Sequence, residues 1–207
     1  MVMADIIVEH HFDFGSPSSY LAWKVIPKIE ARTGVTFVSI PVLLGGIFKA
    51  TGNQAPMIAF GNIKNKLDYD RIETQRFIAK HDLTKFIFNS HFPVNTVQIM
   101  RGAVVANMEG YLPTYMATIF RAMWETSKKM DDAEVIIAEL DAADLDGAHI
   151  VARIQDQQVK DELIANTNAT VERGTFGAPT FYVDNKIFFG KDRLRDVEEE
   201  ILRIKAG

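Results

Sequence analysis

The chain has 207 residues, 47% of them hydrophobic and 24% charged, the proportions of an ordinary folded domain rather than of a disordered or membrane-embedded chain. A formal charge of −4 argues against nucleic acid or an acidic membrane as the main partner, since both call for clustered positive charge, and leaves a small ligand as the expected one. With no cysteine, disulfides, thiolate metal sites and any redox cycle on the protein's own sulfur are ruled out.

The opening "MVMADIIVEHHF" lacks a basic segment followed by an apolar stretch and a small-residue cleavage site, so a cytoplasmic location is expected. "DIIVEHHFDF" reads as a strand, with Phe12 and Phe14 alternating against polar neighbours. It breaks at Gly15-Ser16-Pro17. Leu21, Val25, Ile26 and Ile29 then recur at helical spacing, which predicts a helix from 17 to about 33, with Pro17 as its first residue and Gly34 as its stop. "VTFVSIPV" reads as a second strand, completing a βαβ unit.

From about residue 42 to 173 the patterns are helical, as in "PTYMATIFRAMWETSKKM", "DAEVIIAELDAADL" and "QQVKDELIANTNATVERG". The end turns β-rich again. "PTFYVDNKIFFG" is two strands joined at Asp184-Asn185, and "KDRLRDVEEEILRI" is an amphipathic helix, so the chain closes on a ββα unit. A βαβ and a ββα unit separated by helices are the parts of an α/β, thioredoxin-like fold. The expected organisation is a discontinuous thioredoxin-like domain, 1–41 and 174–207, interrupted by an all-helical insertion domain, 42–173.

Two stretches of this pattern carry possible chemistry. Ser16 falls at the helix N-cap, where a hydroxyl satisfies an orphan backbone donor, and capping alone would explain it. The same position faces exposed N–H groups and the positive end of the helix dipole, which favour an anion such as a thiolate, although this chain supplies no thiol of its own. In "GTFGAPTFYVDN", Ala178-Pro179 opens a strand, where a proline is tolerated. In a thioredoxin fold this loop carries a cis proline facing the first helix, here facing Ser16. That arrangement would leave the Ala178 backbone unpaired and open to an extended peptide.

Among the histidines, His10 and His11 are strand neighbours and point to opposite faces, so they do not share one ion. His81, His91 and His149 lack a ligand-like spacing, and no metal is expected. Trp23, Met57, Phe60, Phe86, Phe88 and Trp124 could line an aromatic pocket, but such residues are ordinarily core, and none is assigned to the site.

"FDFGSPSSYLA", "PVLLGGIFKATGNQAP", "KLDYDRIETQRF" and "ANTNATVERGTFGAPTFYVDNKIFFGKDRL" resemble, in this order and over nearly the whole chain, the 2-hydroxychromene-2-carboxylate isomerases and their relatives, the kappa-class glutathione transferases. The resemblance implies a DsbA-like thioredoxin domain with a helical insertion, glutathione as cofactor, and a homodimer. It places the Ser16 hydroxyl against the sulfur of glutathione, with Ala178 and Pro179 holding the peptide. Asn53 matches a glutathione-contacting asparagine, though it would also serve as a turn residue after Gly52. Asp192 matches an aspartate that takes the γ-glutamyl ammonium, though it could equally be an N-cap. Lys191 stands where relatives often have Ser or Asn, and would either pair with the γ-glutamyl carboxylate or be solvated. Lys64, and with less support Lys66, lies near the region that would hold a substrate carboxylate.

The implied activity is glutathione-dependent cis–trans isomerisation of a small aromatic compound, interconverting 2-hydroxychromene-2-carboxylate and trans-o-hydroxybenzylidenepyruvate by thiolate addition and elimination. "KLDYDRIETQRF" leans toward the isomerases. "PVLLGGIFKATGNQ" leans toward a kappa-like transferase or peroxidase, which stays open beside a non-catalytic glutathione-binding module.

Overall fold

Val8–Phe12 (β1) lies inside a four-stranded sheet in the computed structural model, which describes residues 6–207. The strand expected from Asp5, like the leader reading of the first residues, thus begins outside the described residues. After β1, Ser16 caps Pro17–Thr33 (α1): its φ and ψ are extended, its Oγ accepts the Ser19 N–H at 3.2 Å, and Pro17 occupies the first turn. Gly34, at φ 69°, ends the helix in the left-handed region, and its N–H returns to Glu30 O at 2.7 Å. Phe37–Pro41 (β2) then pairs in parallel with β1, Val8 opposite Phe37 and Phe12 opposite Pro41.

The middle of the chain is helical: Leu44–Thr51 (α2), Pro56–Ala59 (α3), Lys66–His81 (α4), Val97–Met108 (α5), Leu112–Trp124 (α6), Ala133–Asp141 (α7), Gly147–Arg153 (α8) and Gln157–Glu172 (α9). The pattern expected to be helical through Met130 stops at Trp124, where Glu125 takes a non-helical conformation and turns follow. Thr180–Val183 (β3) and Lys186–Phe189 (β4) form the expected hairpin, with Asp184 turning at φ 52°. β3 runs antiparallel to β1, giving the order β2-β1-β3-β4, and Leu194–Ala206 (α10) packs on α1 and β3.

One apolar core joins the sheet to the helices. Phe12, Phe14, Tyr20, Tyr115, Phe120, Trp124 and Phe181 are all essentially inaccessible, each such ring stabilising the fold by about 1.5–3 kcal/mol through burial. α5 and α6 approach closely at Gly102, where an added Cβ would stand 2.7 Å from Tyr115 Cζ. Of the six aromatic and methionine residues weighed as pocket or core, Trp124 is core. Trp23 and Phe86 pack partly buried against the core, while Met57, Phe60 and Phe88 are exposed.

Candidate active site

The end of β1 and the start of α1 are held from three sides. Trp124 donates its indole N–H to Phe14 O at 2.8 Å, and the Phe14 N–H points to Met100 Sδ at 3.4 Å. Asp13, only 1% exposed, gathers the rest: Oδ1 accepts the Gly15 N–H at 2.8 Å, while Oδ2 accepts the Leu44 N–H at 2.7 Å and the Thr96 hydroxyl at 3.2 Å. Burial pushes the Asp13 carboxyl up from the usual carboxylate range, and these donors oppose that rise. One carboxylate therefore fixes the turn before Ser16 to α2 and to the residue preceding α5. Asp13 is not among the site residues assigned from the sequence. An acid inside an otherwise apolar strand end, two residues before a glycine, was the available signal.

Ser16 itself is 6% exposed, and its hydroxyl donates to Ala178 O at 2.9 Å across 162 residues of sequence. The Ala178–Pro179 peptide is cis, so Ser16 meets the proline loop in the arrangement anticipated from the sequence. One expectation is corrected. The Ala178 backbone is only half unpaired: its carbonyl is taken by Ser16, because a nearly buried hydroxyl turns its one proton to the nearest strong acceptor. The Ala178 N–H has no partner among the described residues.

The remaining assigned positions gather around this loop, with one exception. Asn53 follows the left-handed Gly52 at the end of α2, and its Nδ2 donates to Phe176 O at 2.7 Å, so it braces the loop as well as forming a turn. The Gly190 N–H donates to Pro179 O at 2.9 Å, which sets Lys191 and Asp192 immediately beyond the proline. Asp192 is not an N-cap, since it lies inside the 3₁₀ turn Lys191–Arg193 that leads into α10. Its side chain is 66% exposed.

Lys191 is not solvated either: its side chain is 6% exposed, with Nζ 2.7 Å from Asp192 Oδ1 and 4.9 Å from the centre of the Phe77 ring. The pair opens on a cleft of about 460 Å³ walled by α1, α4 and α10, in which Arg76 and Glu73 face each other. Ser16 does not line that cleft. Lys64 is exposed in the loop before α4, and no hydrogen bond or ion pair ties it to another described residue. Lys66 is committed to Asp70 on its own helix.

His10 and His11 do face opposite ways. His10 stacks between Phe12 and Phe181, and His11 bonds Glu9 Oε2 at 2.7 Å and packs edge-on against Tyr182. Among the described residues no helix is long and apolar enough to cross a membrane.

Chemically, the site offers a hydroxyl at the positive end of a seventeen-residue helix, a free backbone N–H beside it, and a Lys–Asp pair further along the same loop. Those groups suit an anionic atom, a peptide backbone and a zwitterionic end respectively. Glutathione presents all three in that order, so the residues fit it.

The chain is similar to known proteins over nearly its whole length. The chain is 26% identical over 202 residues to a 2-hydroxychromene-2-carboxylate isomerase of Pseudomonas putida, covering 96% of each chain. It is 27% identical over 197 residues to glutathione S-transferase kappa 1 of Rattus norvegicus, covering 91% of this chain and 87% of the relative. A solved structure of 2-hydroxychromene-2-carboxylate isomerase superposes with a TM-score of 0.82 at 25% identity, over 96% of this chain and 95% of the other. A probable DsbA oxidoreductase of Streptomyces coelicolor, 16% identical, shares the fold at a TM-score of 0.71 over 97% of this chain and 90% of the other. With a fold of this topology and a match to the DSBA-like thioredoxin domain over residues 7–202, the chain belongs to the DSBA-like thioredoxin family, in the neighbourhood of the isomerases and kappa transferases.

Proposed function

We infer that the protein is a glutathione-dependent isomerase that interconverts 2-hydroxychromene-2-carboxylate and trans-o-hydroxybenzylidenepyruvate. The observation that carries this reading is Ser16: a nearly buried hydroxyl at the N-cap of α1, against the cis-proline loop, in a chain without cysteine. Glutathione, when bound, supplies the thiol whose addition to a conjugated carbon and later loss permit rotation about that bond.

The chain's own residues bind, orient and polarise. Ser16 donates its hydroxyl proton to the sulfur, which requires its rotor to leave Ala178 O, at a cost of about 0.5–1.5 kcal/mol for a neutral hydrogen bond. A hydrogen bond to a charged partner is worth about 1.5–3 kcal/mol, so the exchange favours the thiolate. The Ala178 N–H pairs with the peptide backbone, ahead of Pro179. Lys191 holds the γ-glutamyl carboxylate with the N–H groups that Asp192 leaves free, and Asp192 holds the ammonium with its exposed oxygen. Asn53 keeps the loop in place through Phe176 and contacts the tripeptide. Lys64 is the candidate for the substrate carboxylate, reached from its exposed loop.

On the same reading, residues 42–173 form an insertion domain that shapes the aromatic pocket over a thioredoxin-like domain of 1–41 and 174–207. We also propose that the enzyme works as a cytoplasmic homodimer in aromatic-compound degradation. The second reading is a kappa-like transferase or peroxidase, which the relationship to a kappa enzyme favours.

Turnover separates the two. Incubation with 2-hydroxychromene-2-carboxylate and substoichiometric glutathione should bring the substrate to equilibrium with all glutathione recovered. Consumption of one glutathione per product, or no reaction with bound glutathione, would remove the isomerase assignment.

A further inference from the structure

Every arginine of this protein but one pairs with a carboxylate. The exception is Arg101 on α5, half-buried, with neither an ion pair nor a hydrogen bond among the described residues. Arg101 lines a groove of about 150 Å³ where α2, α5 and α9 meet. Lys160 lines the same groove, also without an acidic partner among the described residues. The rest of the lining is mostly apolar, with Leu43, Val97, Leu163 and Ile164 beside the polar Thr167 and Asn168, and Ile164 is 56% exposed.

A guanidinium is a planar fork suited to a carboxylate, and a partly desolvated one is improved by finding it. Two unneutralised cations over an apolar floor match an anion that carries an apolar body. The volume lies below the roughly 300–1,000 Å³ of a drug-sized ligand's pocket, so the groove takes at most a small ring system, part of it left in solvent, and not a peptide or a lipid chain. We propose that this groove binds a small aromatic monocarboxylate, its carboxylate on Arg101 and Lys160 and its rings against Leu163 and Ile164. The site stands apart from the Ser16 loop and does not depend on glutathione. It is connected to that loop through covalent neighbours: Leu43 and Val97 adjoin Leu44 and Thr96, the two donors that Asp13 collects on one oxygen. Occupancy of the groove therefore bears on the position of the turn before Ser16.

The test is calorimetric titration of the whole chain with 2-naphthoate and, separately, with the uncharged 2-naphthamide. The naphthoate should bind at least tenfold more tightly than the amide. Arg101→Gln should weaken it by tenfold or more, and Lys160→Gln by a smaller factor. Saturating glutathione should leave the naphthoate affinity unchanged or shift it modestly without competing. Arg101→Gln should keep the parent melting temperature, since no pairing is lost, and the amide comparison needs no variant at all. Equal affinity for the acid and the amide, undiminished binding in folded Arg101→Gln, competitive displacement by glutathione, or no binding of naphthoate would each overturn the proposal.

Discussion

Asp13→Asn tests whether one buried carboxylate organises the turn that presents Ser16. The carboxylate receives the Gly15 N–H on one oxygen and the Leu44 N–H and Thr96 hydroxyl on the other. An amide has a single acceptor oxygen, so its best placement keeps Oδ2 and turns its NH₂ toward Gly15, leaving the Gly15 N–H facing a side-chain donor. An unsatisfied donor costs about 1–3 kcal/mol, from which the removed penalty of a buried charge must be subtracted, leaving a net loss of about 1–2 kcal/mol near neutral pH. Asp13→Ala deprives all three donors and should lose about 3 kcal/mol or more. The pH dependence gives a second check with a definite sign. Because burial raises the folded pKa of Asp13, its contribution is fully present below the unfolded value and is lost as pH rises through the folded one. The variant lacks that titration, so the deficit of Asp13→Asn should widen as pH is lowered from 7 toward the unfolded carboxylate range. Urea denaturation followed by tryptophan fluorescence at several pH values measures this directly. An Asp13→Ala protein within 0.5 kcal/mol of the parent, or an Asp13→Asn deficit that narrows in acid, would refute the reasoning.

Burial holds His10 far below its ordinary 6.5, at about 3, with neighbouring His11 acting in the same direction. Stability should therefore be intact above about pH 6.5 and fall by about 1.4 kcal/mol per pH unit through the window below it, and His10→Phe should flatten that slope in acid unfolding curves. Gly102→Ala places a methyl group against Tyr115, whose hydroxyl is anchored on Ile99 O at 2.9 Å, so melting should show a loss of about 1–3 kcal/mol; an unchanged melt would mean that α5 and α6 part easily. Lys191→Met should keep the lysine stem's packing on Phe77 and weaken glutathione binding roughly tenfold by titration, because an ionic hydrogen bond is lost.

The sheet was legible from the sequence because its signals are local. Alternation in β1, the strand-like run after Gly34, the Ser16-Pro17 and Gly34 ends of α1, and the Asp184 turn each declare themselves within a few residues. What escaped depends on distant partners. Asp13 finds Leu44 and Thr96 at separations of 31 and 83 residues, and Asn53 finds Phe176 at 123. Lys191 stays open between a ligand contact and a solvated side chain until the fold brings Phe77 of α4 to 4.9 Å from its ammonium. The isolation of Arg101 is invisible for the same reason: a missing ion pair is a property of every neighbour at once. Ser16 was placed correctly as a cap, while the acceptor of its proton, the Ala178 carbonyl, could be found only once the two ends of the chain were brought together.

The central claim is that the Ser16 hydroxyl stabilises the thiolate of bound glutathione. The most direct measurement is the thiol pKa of bound glutathione, followed by thiolate ultraviolet absorbance, in the parent protein and in Ser16→Ala. The parent should hold the thiol below its free value, and the variant should raise it by about one unit, the charged hydrogen bond of about 1.5–3 kcal/mol less the roughly 0.5–1.5 kcal/mol of the Ala178 bond given up for it. The same pKa in both proteins would contradict the account and leave Ser16 as the cap of α1 alone.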